Sequence, residues 1–270
     1  MVRIGTSGYS FRDWVGVFYP DGTPPGKMLE FYAKNFNVAE VNSTYYRIPP
    51  PGVFAGMARR TPDGFHFVVK THKSMTHSRD FDADALAVFN AAVQPLRDAG
   101  KLLGFLAQFP WSFRFAPPNL DYIRRLRDSF RAQSLHVEFR HDSWLRDDVF
   151  ETLCAADIGF CMVDEPRLEG LIPPVARATT ATAYVRFHGR NSTDWWRPRK
   201  GSDRYNYDYS DGELLEWVPA IKRLDGECDT VLLFFNNCHF GRAPRNAERM
   251  ARILGIELRP PPRQGELPME

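Results

Sequence analysis

Eight short runs rich in β-branched and aromatic residues recur along the chain, at 3–6, 39–42, 66–70, 102–108, 135–139, 159–163, 183–187 and 230–235. Between them lie longer stretches with apolar residues at three- and four-residue steps, at 27–36, 83–98, 120–131, 147–156, 211–224 and 243–254. Strand and helix signals in alternation demand a parallel sheet, because a parallel crossover needs a dozen or more residues and those residues are helical here. Eight strands favour closure into an α/β fold, a single TIM-like (β/α)₈ barrel, and 270 residues suit one such domain of about 250. The barrel is assigned to residues 1–258. The connection 165–178 contains Pro166, Pro173 and Pro174, so a loop is expected where an ideal barrel has its sixth helix. Residues 259–270 carry four prolines and read as a mobile tail. A doubly wound open sheet is the competing architecture, but no GxGxxG opens a helix after any strand.

A formal net charge of +2 supplies no global field for nucleic acid or a membrane surface, so attraction of anions must come from local clustering. The N-terminal residues show no basic stretch leading into an apolar run, and no window reaches the ~18 apolar residues of a membrane span. The chain reads as cytoplasmic. Cys154, Cys161, Cys228 and Cys238 lack CxxC spacing and read as free thiols.

The strand ends are unusually polar. They read Glu40-Val41-Asn42, Lys70-Thr71-His72, Gln108-Phe109-Pro110, Glu138-Phe139-Arg140, Arg186-Phe187-His188 and Phe235-Asn236-Asn237. Alternate strand residues share a face, so polar pairs separated by one apolar residue point into the barrel mouth, where barrel enzymes work. Mutual neutralisation of Glu40, Glu138 and Asp164 by Lys70, Arg140 and Arg186 would account for any one pair. A whole ring of buried charge costs more than apolar packing and argues for a site.

Lys70/His72 and Arg186/His188 sit on opposite strands, an arrangement suited to an anion with histidine at hand for proton transfer. The tight turn Gly5-Thr6-Ser7-Gly8 offers backbone amides to a phosphate, a weak signal. A divalent metal could be held by Glu40, Glu138, Asp164 and His188, but three cations on the same mouth disfavour it. A retaining glycosidase needs carboxyl groups about 5 Å apart, and Glu40 and Glu138 come from strands nearly half a barrel apart. Residues 189–209 interleave Arg190, Arg197, Arg199, Lys200 and Arg204 with Trp195, Trp196, Tyr205, Tyr207 and Tyr209. Single-stranded nucleic acid would stack on such rings, and a packed lid would look similar.

These motifs, in order, are GTSGY at 5–9 with Trp14 and FYP at 18–20, EVNSTYYR at 40–47 with Pro49, FVVK at 67–70 with Thr76-His77, QFP at 108–110, VEFRH at 137–141 with Ser143-Trp144, VRFHGR at 185–190 and FNN at 235–237. Together they resemble the YecE-like family, domain of unknown function 72, over about residues 3–254. The resemblance implies a TIM-like barrel and no established reaction. The expectation is therefore an enzyme acting on an anionic, phosphate-bearing small or oligomeric substrate by acid/base chemistry. Glu138, His188 and His72 would be catalytic, and Glu40, Asn42, Lys70, Gln108, Arg140, Arg186 and Asn236 would hold substrate. No cofactor or oligomeric state is assigned. The alternative is a nucleic-acid-binding or adaptor protein using residues 189–209.

Overall fold

The computed structural model describes residues 1–258; the tail assigned to 259–270 lies outside the described residues. Eight strands, β1 (Val2–Thr6), β2 (Val38–Val41), β3 (His66–Lys70), β4 (Leu102–Gln108), β5 (Ser134–Glu138), β6 (Ile158–Asp164), β7 (Thr182–Phe187) and β8 (Thr230–Phe235), form one parallel sheet. It runs β1-β8-β7-β6-β5-β4-β3-β2. The barrel is nearly closed: β1 meets β2 through a single bridge, Ser7 to Glu40.

Helices α1 (Pro25–Tyr32), α2 (Pro51–Arg59), α3 (Ala83–Asp98), α4 (Pro117–Asp128), α5 (Asp147–Ala155), α6 (Asp211–Leu215), α7 (Val218–Glu227) and α8 (Arg242–Leu254) fill the connections. The sixth, between β6 and β7, has no helix, as its prolines require. Two departures from the sequence reading have local causes. Helix α2 was not among the expected helices; Pro51 occupies its first helical position, where a missing N–H costs nothing. The stretch expected as one helix over 211–224 is two, because Pro219 near the start of α7 has no N–H for an unbroken helical ladder. A capping box between Ser210 and Glu213 starts the first of them.

Strand alternation divides the side chains cleanly. Outward residues such as Phe67, Val137, Phe139, Val185, Phe187, Leu233 and Phe235 join the core shared with the helices. Inward residues Val38, Val68, Leu106, Cys161, Tyr184, Leu232 and Phe234 form a separate apolar layer inside the barrel. Space there is tight: a Cβ on Gly159 would stand 2.2 Å from the His136 ring, so only glycine fits. The next inward positions toward the C-terminal ends, Glu40, Lys70, Glu138 and Arg186, rest on this apolar layer. No described helix is long and apolar enough to cross a membrane.

Candidate functional site

Arg186, at the end of β7, is buried with 1% exposure and ties opposite sides of the barrel together. Its Nη1 lies 2.6 Å from Glu138 Oε2 and its Nη2 lies 2.7 Å from Glu40 Oε1. Tyr184, one inward position below, donates its hydroxyl to Glu40 Oε2. Glu40 and Glu138, expected to be well separated, thus share one guanidinium. On the other side of Glu138, Arg140 Nε stands 2.6 Å from Oε1, while Arg140 Nη1 donates to Glu165 Oε2 at 2.9 Å. His188 is wholly buried, with Nε2 3.3 Å from Glu138 Oε1 and Nδ1 3.0 Å from the Asn236 amide nitrogen. If the amide donates, Nδ1 accepts and the ring proton sits on Nε2, facing Glu138.

These contacts set the protonation states. Burial works against the Glu138 anion, but Arg140, Arg186 and His188 together hold it well below the usual carboxylate range. Burial and Arg140 keep His188 neutral, with its pKa lowered to about 3. Glu165 goes the other way, because burial outweighs Arg140 and raises it to about 8. Lys70 has no carboxylate within ion-pair distance among the described residues. Its Nζ donates to Gln108 Oε1 at 2.8 Å and lies 4.6 Å from the centre of the Tyr45 ring. Desolvation, aided by Arg186, pulls its pKa down to about 7.

Above this floor is a chamber of about 350 Å³. Six residues expected at the site line it: Asn42, Lys70, Gln108, Arg140, Arg186 and Asn236. Glu40, Glu138 and His188 lie beneath or beside it. His72 is not brought to the chamber. The chain turns after β3, and His72 caps that turn, its Nδ1 accepting from the Ser74 amide at 3.3 Å. The histidine that lines the chamber is His77, packed edge-on against Tyr45 with ring centres 4.9 Å apart. Burial and the cations Lys70, Arg79 and Arg140 lower it to about 4. Asp164 also departs from expectation: it faces outward, accepting two hydrogen bonds from Arg190 and one each from Tyr209 and Trp217. Of the four side chains considered for a metal, Asp164 thus stands apart from Glu40, Glu138 and His188, and no group of three or more such side chains placed to hold a metal ion is found among the described residues.

Residues 189–209 roof the chamber. Gly189, at φ +90°, starts the loop where a Cβ would stand 2.5 Å from Tyr207 Cβ. Trp195 is 2% exposed, with the Arg140 guanidinium 5.8 Å from its ring centre. Tyr209 is buried, donates to Asp164 and accepts from the Gly189 amide. Tyr207 is tied to Glu213. Tyr207 and Tyr209 thus pack into the protein, Trp195, Trp196 and Tyr205 line the chamber, and of these rings Trp196 alone is exposed, beside Trp111 at 5.3 Å. Arg204, His77 and Trp111 were missed as site residues because they lie outside the strands, where strand alternation gives no facing information; Glu165, one residue past β6, shares the inward parity of Cys161.

Residues 3–268 match the family described as "Protein of unknown function DUF72". The chain is 32% identical over 273 residues to the UPF0759 protein YunF of Bacillus subtilis, covering 95% of this chain and 96% of that one. It is similar to the crystal structure of a DUF72 family protein, TM1631, from Thermotoga maritima, at 41% identity and a TM-score of 0.87, covering 94% of this chain and 99% of that one. A DUF72 family protein from Enterococcus faecalis, EF0366, aligns at 25% identity and a TM-score of 0.86, over 97% and 99% of the two chains.

Proposed function

The chain belongs to the DUF72 family, whose name specifies no reaction, and from the site itself we propose that it is an enzyme acting on a small anionic substrate, carrying phosphate or carboxylate, with Lys70 as the group that exchanges a proton. One observation carries this reading. The chamber is lined by four cations, Lys70, Arg140, Arg186 and Arg204, and by no carboxylate. The balancing anions Glu40 and Glu138 are buried behind Arg186 and Arg140, and Glu165, held protonated up to about pH 8 by its burial, adds little negative charge near neutrality. A cavity whose positive groups face inward and whose negative groups face away is built to receive an anion.

The division of labour differs from the one expected of the residue types. Glu138 and His188 are locked in single charge states by their partners, so their role is to hold Arg140, Arg186 and Asn236 in place. Lys70 alone among the lining groups changes charge near neutral pH, the condition for efficient proton transfer. An anion bound beside Arg140 and Arg204 would present its neighbouring C–H or hydroxyl to the free amine, with Gln108 and Asn42 as hydrogen-bond partners. Isomerase, lyase and hydrolase chemistry all fit this arrangement. The nucleic-acid alternative has less support, because Tyr207 and Tyr209 are tied to Glu213 and Asp164, Trp195 and Tyr205 line the chamber itself, and Trp196 is the one ring of the loop exposed at the surface.

Calorimetric titration with sulfate and inorganic phosphate tests the reading, followed by a panel of phosphate monoesters and small hydroxy and oxo acids monitored by NMR for turnover. Binding lost in Arg204→Ser, and turnover lost in Lys70→Met, is the expected result. Absence of anion binding to the unaltered protein, with salt-sensitive binding to a short single-stranded oligonucleotide, would replace this reading with the nucleic-acid one.

A further inference from the structure

A second cavity of about 540 Å³ lies beside the first, where β1 and β2 are joined by only the Ser7–Glu40 bridge. Every other neighbouring pair of strands is registered over at least three positions. The loose seam lets the strand ends part, and the opening is walled by the segment after β1 and by α2, through Phe11, Val53, Phe54 and Met57. Its chemistry is the opposite of the chamber's. No lysine or arginine lines it, and its one carboxylate, Glu40, is already held by Arg186 and Tyr184.

We infer that the natural ligand has two parts, an anionic head in the cationic chamber and an apolar body in this trough; the inference rests on the chamber being the anion site. Two observations support it. The two cavities share Asn42, Tyr46, Tyr205 and Asn236 as lining residues, so a single ligand can lie across this common sill. At the trough, Tyr46 is 75% exposed and Val53 45% exposed, apolar surface that an aliphatic or aromatic body would cover. Lid residues Gly201, Ser202 and Tyr205 reach the same trough, and His239 Nε2 stands 2.9 Å from the Ser202 carbonyl, so the lid spans both cavities. The ligand class is accordingly an amphipathic acid, a phosphate ester or carboxylate with a hydrocarbon or aromatic portion.

Calorimetry with three probes, inorganic phosphate, hexyl phosphate and hexanol, tests this on the full chain. Hexyl phosphate should bind about 100-fold more tightly than phosphate, from methylene burial of the kind that favours transfer out of water. Val53→Gln, at a half-exposed helical position that folding tolerates, should erase most of that gain while leaving phosphate affinity unchanged. Equal affinities for phosphate and hexyl phosphate, or a gain that survives Val53→Gln together with Tyr46→Ser, would overturn the inference and leave the anion site standing. Binding of hexanol without either phosphate would overturn both, showing an apolar site with no anion site beside it.

Discussion

Lys70 Nζ donates to Gln108 Oε1 at 2.8 Å across the β3–β4 pair, and this neutral partner is its sole side-chain hydrogen bond among the described residues. A lysine inside a barrel is usually stabilised by a carboxylate. Here the three nearby acids are taken by arginines, and Lys70 bears the cost of its desolvation with a polar amide and the face of Tyr45.

Lys70→Met is expected to stabilise the protein, by about 0.5–2 kcal/mol at neutral pH. The sign follows from the lowered pKa of about 7. The unfolded chain holds this proton over a pH range where the folded protein has lost it, so the unaltered protein gains stability as pH rises from about 7 toward the ordinary lysine range. Denaturant melts from pH 6 to 10 should show the advantage of the methionine variant largest at the acid end and shrinking with pH. A variant less stable throughout would show that the ammonium has a favourable partner.

Glu138 and Glu165 both touch Arg140 and should respond oppositely to amide substitution. Glu138→Gln removes the anion that compensates two buried guanidinium groups and should cost about 3–5 kcal/mol near neutral pH. Its folded pKa is depressed, so the stability it confers is present above the ordinary carboxylate range and lost as pH falls through the folded value. The gap to the unaltered protein must therefore narrow in acid. Glu165 is raised to about 8, so its favourable contribution fades as pH rises through that value. Glu165→Gln should match the unaltered protein in mild acid and exceed it above pH 8. Parallel behaviour of the two variants in urea melts would contradict the assignment.

In the loop 189–209, position decides function. Arg197, Arg199 and Lys200 are exposed, so replacing all three with serine should change stability by no more than about 0.5 kcal/mol each. Asp164→Ala strips Arg190, Tyr209 and Trp217 of their common acceptor and should cost several-fold more, on the order of 3 kcal/mol. Thermal melts distinguish the two. A large loss from the triple serine variant would mean that its charges make structural contacts.

The barrel was legible because its evidence is periodic. The inward-facing residues of β5 and β7, with Arg140 and His188 just past their ends, follow from strand alternation, and the pairing of Glu138 with Arg186 follows once both face one lumen. His72 shows the limit: two residues past Lys70 it shares the inward parity, but the strand has ended and the backbone turns, so the chamber receives His77 instead. Asp164 fails for the complementary reason, since parity on β6 puts it with Phe160 and Met162 on the outer face and puts Glu165 inside. Which acid faces inward could have been counted from Cys161; which loop residue folds back over the mouth could not, because loops carry no period.

The most direct test of the anionic chamber is an NMR pH titration of the Lys70 side chain, assigned by its loss in Lys70→Met, with and without sulfate, an anion whose charge is constant from pH 5 to 10. The account predicts a midpoint near 7 in the free protein, shifted upward by sulfate, because a neighbouring anion favours the ammonium form. A lysine that titrates in the ordinary range, or a midpoint near 7 that sulfate leaves unmoved in the protein at low salt, would contradict it.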